Sequence, residues 1–233
     1  MADWIYQFAF GFYPYLALSV FLIGSLVRFD REQYTWEADS SQILRKGSLR
    51  LGSTLFHLGI LVVFFGHLIG FLTPEQLILA IMSPEAHEAM AMVGGGVAGA
   101  VALVGLTILC WRRLTDARVR ANSRFSDIAV LIILWVQLAM GMFTVLVSAS
   151  KPEGYSFEVL VQYVQGIVFF RGDNAALLAG TPWLYKLHIL LGLTIFAIFP
   201  FTRLVHIWSG LASVVYLFRP YQIMRTRQRS LSR

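Results

Sequence analysis

The chain has 233 residues, of which 57% are hydrophobic and 14% charged, with a mean hydropathy of +0.66 and a formal net charge of +6. A soluble domain needs far more charge to cover its surface, so this composition excludes a soluble globular class and indicates an integral membrane protein. The positive balance requires no nucleic-acid partner, because membrane topology and anionic lipid headgroups account for it.

Five apolar segments follow one another along the chain. Segments 4–27, 51–72, 89–111 and 128–150 are each long enough for a helix of roughly 20 residues to cross the hydrocarbon core. The fifth, 182–206, opens on Thr181 and Pro182, an N-cap followed by proline at the first helical position. Its Lys186 and Arg203 are expected to snorkel toward the two interfaces. Gly66 with Gly70, and Gly95 with Gly99, form GxxxG steps expected to mark close helix approach. At Gly59, Gly66 and Gly192 a missing side chain would also leave room for a flat prosthetic group.

The connections are short. Loop 28–50 is the most polar stretch, loop 75–88 holds Pro84 and His87, and loop 151–181 is the longest. Within the last, EVLVQYVQGIVFF is too short to span comfortably and reads as an interfacial helix. Tail 207–233 is rich in arginine and has no acid. The N-terminus lacks a basic n-region, so the first span is expected to be retained as a membrane helix. The single cysteine, Cys110, excludes an internal disulfide and offers no thiolate cluster.

Arginine and lysine cluster in 28–50, in 112–124 and from Arg203 onward, which leaves only Lys151, Arg171 and Lys186 on the other side. The positive-inside rule then places the N-terminus outside and the C-terminal tail in the cytoplasm. The fold class is an all-α bundle of five membrane helices in one domain.

Four of the five histidines, His57, His67, His188 and His206, lie inside the second and fifth spans. An ionisable residue in lipid is costly and marks a functional site by default. The two spans run in opposite directions, so His57 is level with His206 near the cytoplasm and His67 with His188 near the outside. An unbroken helix puts His57 and His67 about 15 Å apart in height and His188 and His206 about 27 Å apart, a mismatch that a bend at Pro200 would reduce. Each level offers two imidazoles and neither cysteine nor carboxylate, too few for a zinc site. Two axial imidazoles on a porphyrin iron fit this supply, and the absence of a CxxCH motif makes such haems non-covalent, of the b type. The bland alternative is buried histidines satisfied by hydrogen bonds or serving a proton path.

The same residues carry a family resemblance. FHLGILVVFFGHLIGFLTP and LHILLGLTIFAIFPFTRLVHIWS, with YPYLALSVFLIGSLVRFDREQYTWEADSSQ and MAMVGGG, resemble the gamma subunit, a cytochrome b, of respiratory nitrate reductase. The resemblance implies two b-type haems, His57 with His206 on the cytoplasmic side and His67 with His188 on the outer side, and a quinol site near the outer haem. It implies that the chain oxidises quinol and passes electrons through the haems to a cytoplasmic iron–sulfur subunit. A molybdenum-containing catalytic subunit would then reduce nitrate, all on a bacterial or archaeal cytoplasmic membrane. Where the family typically has lysine entering the third span, this chain has His87, which can still hydrogen-bond a quinol oxygen. Gly66 is its expected quinol neighbour on steric grounds. Arg50, Arg112 and Arg203 are candidates for pairing with haem propionates. Two other readings are a cytochrome b subunit of a heterodisulfide- or sulfite-reductase-type complex, and a transporter or proton channel using the histidines as a relay.

Overall fold

The computed structural model describes residues 2–32, 36, 46–150 and 155–209. Most of the polar loop 28–50 and of the arginine-rich tail lies outside those residues.

Five helical segments are long and apolar enough to cross a membrane: Asp3–Arg31, Gly47–Leu72, Pro84–Thr115, Phe125–Ala149 and Trp183–Phe201. The first is composite, with α1 (Ala2–Gln7) running through a π-helical turn, Phe8–Phe12, into α2 (Tyr13–Arg31). Then come α3 (Lys46–Leu72), a short α4 (Glu75–Leu79), α5 (Pro84–Thr115), a short α6 (Ala117–Ala121) and α7 (Phe125–Ala149). After these lie α8 (Tyr155–Val168), α9 (Asn174–Leu177) and α10 (Trp183–Ile198). The described residues contain no strand.

The helices form a curved row in the order α3, α5, α7, α10, α2. The closest seam is α3 on α5, and glycine creates it. A Cβ on Gly59 would lie 2.5 Å from the Ala98 carbonyl oxygen and the Ala102 nitrogen, and one on Gly105 would collide with the Phe56 nitrogen and the Gly52 oxygen. The expected GxxxG seams differ from this. Gly66 and Gly95 have nothing within 4 Å of a built Cβ, Gly70 meets only His87 at 3.9 Å, and Gly99 packs on Met142. Gly59 therefore serves helix approach, and it is Gly66 that faces open space.

The segment after α10 takes the bend anticipated at Pro200 further than one kink. Proline has no N–H to continue the helical ladder, and α10 stops at Ile198. The chain continues as 3₁₀ turns Phe199–Phe201 and Arg203–Val205, with Thr202 extended between them. His188 and His206 are thus not on one continuous helix. Arg28, on α2, donates from Nη1 to the carbonyls of Pro200 (2.6 Å) and Thr202 (3.0 Å), two acceptors the break exposes. One turn earlier, Gly24 gives the Pro200 ring room, since a Cβ there would come within 2.8 Å of its Cγ.

Opposite this end, α8 closes the bundle. Gln165 donates to the carbonyls of Phe71 and Thr73 at 3.2 and 3.1 Å, satisfying acceptors left over at the end of α3. Tyr163 donates to the Phe10 carbonyl (2.9 Å) in the π turn, and burial pushes its phenol well above the ordinary 10.0. Lys186 does not snorkel: it is buried, its Nζ donates to the Ala179 carbonyl (3.0 Å), and it lies over the rings of Tyr6 and Trp183.

Candidate functional site

Because α3 packs along α5, and α10 along α7 and α2, α3 and α10 face each other without an extended contact of their own. All four helix-borne histidines point into that gap. The ring centres of His57 and His206 are 6.3 Å apart, and those of His67 and His188 are 6.5 Å apart. The two same-level combinations expected from topology are the ones brought together.

That spacing has a chemical meaning. Two imidazoles on opposite faces of one first-row ion, each bonded at roughly 2 Å with its ring centre about 1.1 Å further on, have centres about 6.2 Å apart. Among the described residues no three of His, Cys, Asp or Glu converge into a metal cluster. Each pair therefore fits an ion whose remaining ligands come from a macrocycle, which is the supply a bis-histidine haem needs.

Tautomers are fixed for three of the four rings. Nδ1 of His57 lies 2.8 Å from the Ser53 carbonyl oxygen, that of His67 2.8 Å from Val63, and that of His206 2.6 Å from Arg203. Only an N–H can satisfy a carbonyl, so each Nδ1 carries the proton and each Nε2 keeps its lone pair for a metal. His188 departs from this pattern. Its Nδ1 is buried without a hydrogen-bond partner, and its Nε2 lies 3.4 Å from Nε2 of Gln137 on α7.

The His57 and His206 end is strongly cationic. A cavity of about 130 Å³ is lined there by both rings together with Arg112, Arg113 and Arg203. Asp127, in the first turn of α7, lies 3.4 Å from Arg113 and 3.9 Å from Arg203, so one carboxylate faces two guanidinium groups. Arg203 thus turns into the bundle instead of toward the interface. Arg50 is exposed and does not line the cavity.

At the other end, His87 is no loop residue. Ser83 caps α5 by accepting from the Ala86 N–H (3.3 Å), Pro84 occupies the first turn, and His87 and Glu88 are buried within the helix. The His87 ring meets Phe157 of α8 edge-on, with centres 5.0 Å apart. Gly66, one turn before Gly70 on α3, adds the open space nearby.

Sequence reasoning missed Arg28, Asp127 and Gln137. Gln137 left a legible signal, being the one amide side chain in segment 128–150. Asp127 lies just before that charge-free stretch, and Arg28 was absorbed into the orientation bias.

Residues 6–227 match the model of the family described as nitrate reductase gamma subunit. The chain is 46% identical to the respiratory nitrate reductase 2 gamma chain of Escherichia coli (strain K12), over 98% of this chain and 100% of that one. It is 44% identical to the nitrate reductase 1 gamma chain of the same organism, over 95% and 97%. It is also similar to the nitrate reductase gamma chain of Bacillus subtilis (strain 168), 38% identical over 95% and 98%.

Proposed function

The chain belongs to the nitrate reductase gamma subunit family, and we propose that it is the dihaem b-type cytochrome of its complex, oxidising quinol near the outer face and delivering electrons to a cytoplasmic iron–sulfur subunit. It is a multi-pass protein of the bacterial cytoplasmic membrane and a subunit of a respiratory nitrate reductase complex. Nitrate itself is reduced on a molybdenum-containing partner subunit in this reading, and the N-terminus lies outside.

The observation that carries the reading is the pair of histidine spacings, 6.3 and 6.5 Å, across a gap between two helices. His57 with His206 hold the haem on the cytoplasmic side, and His67 with His188 hold the outer one. Haem held by such pairs of imidazoles would supply single-electron exchange. The carbonyls of Ser53, Val63 and Arg203 keep their rings in the metal-binding tautomer and raise ligand basicity. Arg112 and Arg203 line the cavity beside the inner pair and offer forks matched to propionate carboxylates. The exposed Arg50 is the weaker of the three candidates.

Quinol enters from the membrane where Gly66 leaves space, and the His87 imidazole hydrogen-bonds its oxygen. Phe157 supports that imidazole from α8. Protons released there stay outside while the electrons cross inward, so the step is electrogenic.

The reading is tested by counting haem in the purified complex through the alkaline pyridine difference spectrum. Two b-type haems per chain are expected. One haem or none would overturn it.

A further inference from the structure

The four haem-facing histidines are not held alike, and the exception identifies a residue without an assigned role. His57, His67 and His206 each place Nδ1 against a carbonyl of their own chain, at 2.8, 2.8 and 2.6 Å. His188 has no such bond, and its Nδ1 is a buried nitrogen without a partner. On α7, Oε1 of Gln137 is a buried acceptor that also lacks one. The Gln137 amide is already docked on His188: its Nε2 donates to the His188 carbonyl at 3.1 Å and lies 3.4 Å from the ring Nε2.

Glycines on both sides make this docking possible. A Cβ on Gly192 would come within 3.2 Å of the Gln137 amide nitrogen, and one on Gly141 within 3.1 Å of His188 Cε1. Facing helices thus present, in order, Gly192, Gln137, the His188 ring and Gly141. Space is reserved at both ends of a part-buried amide–imidazole contact.

We propose that Gln137 is the positioning residue of the outer haem: when iron takes the ring Nε2, the Gln137 amide leaves that nitrogen and its Oε1 accepts the Nδ1–H of His188, the task that main-chain carbonyls perform for the other three ligands. This rests on the haem assignment made above. A metal-bound histidine nearly always gives its second N–H to an acceptor, which fixes ring orientation and raises ligand basicity. Leaving that N–H buried and unpaired is costly, as is leaving the amide oxygen so. The two groups are a donor and an acceptor on adjoining side chains, and each supplies what the other lacks. A more basic imidazole favours the ferric state, so Gln137 lowers the outer haem potential relative to a ligand without that bond.

The test is a redox titration of the intact complex, followed optically and by electron paramagnetic resonance, for Gln137→Met and Gly141→Ala. Methionine fills the volume of glutamine without an acceptor. The outer component alone is expected to shift to higher potential in Gln137→Met. In Gly141→Ala the added methyl displaces the ring, and the low-spin ferric signal of that component alone is expected to move. An outer component with wild-type potential in Gln137→Met would overturn the proposal, whatever Gly141→Ala does. Equal disturbance of both components would also overturn it, since that marks general loosening of the bundle. If Gln137→Met fails to assemble, Gln137→Leu, which also lacks the acceptor, takes its place in the same titration with the same two outcomes. A wild-type complex without b-type absorption would instead refute the haem assignment itself.

Discussion

Replacing Arg28 with methionine probes how the chain builds half of a cofactor site out of a broken helix. The Arg28 guanidinium donates to Pro200 and Thr202 at 2.6 and 3.0 Å, in partly buried surroundings. A hydrogen bond from a charged donor contributes about 1.5–3 kcal/mol, and partial exposure favours the lower end, so losing both costs about 3 kcal/mol. At about 2–4 °C per kcal/mol for a chain of this size, the thermal midpoint of the purified complex should fall by roughly 6–12 °C. The damage is directional. Thr202 leads into the turn whose Arg203 carbonyl holds the His206 ring, so the inner pair loses its geometry while His67 and His188 keep theirs. Arg28→Lys, which retains the charge but not the fork, should recover about half of the loss. Thermal unfolding and reduced-minus-oxidised spectra measure both effects. An Arg28→Met complex with wild-type stability and both haem components intact would refute the reasoning.

Three further substitutions separate packing from binding. Gly59→Ala forces a methyl into the α5 backbone and should destabilise the chain by about 1–3 kcal/mol. Gly66→Ala meets nothing within 4 Å and should leave stability unchanged; equal losses in denaturation measurements would contradict the glycine assignment. His87→Ala should weaken binding of a quinol analogue at least tenfold with haem content unaltered, and unchanged affinity in a fluorescence or inhibition titration would remove His87 from the quinol site.

Much of this architecture is legible in the sequence because lipid is a demanding solvent. The absence of charge over 51–72 or 128–150 leaves a membrane helix as the main way to satisfy the backbone. Antiparallel topology then brings His57 level with His206 and His67 with His188 before any side chain is placed. Other features depend on distances that no pattern reports. Gly95 and Gly99 carry the familiar motif, yet Gly59 and Gly105 make the close approach, because which helix faces which is decided by the whole bundle. Lys186 and Arg203 read as interfacial cations, but each turns to a partner in the bundle, the Ala179 carbonyl just before α10 and the buried Asp127 carboxylate. The shape of the break after Ile198 is likewise tertiary. Pro200 announces that the helix stops, while Arg28, 172 positions away in sequence, takes up the carbonyl exposed there.

The most direct test of the central claim is the haem content and redox titration of the complex with His57 or His67 replaced by alanine. Each substitution should remove one b-type haem of the two and leave a single component, with different potentials in the two variants. A complex that keeps both haems after either substitution would contradict the assignment of these histidines as ligands.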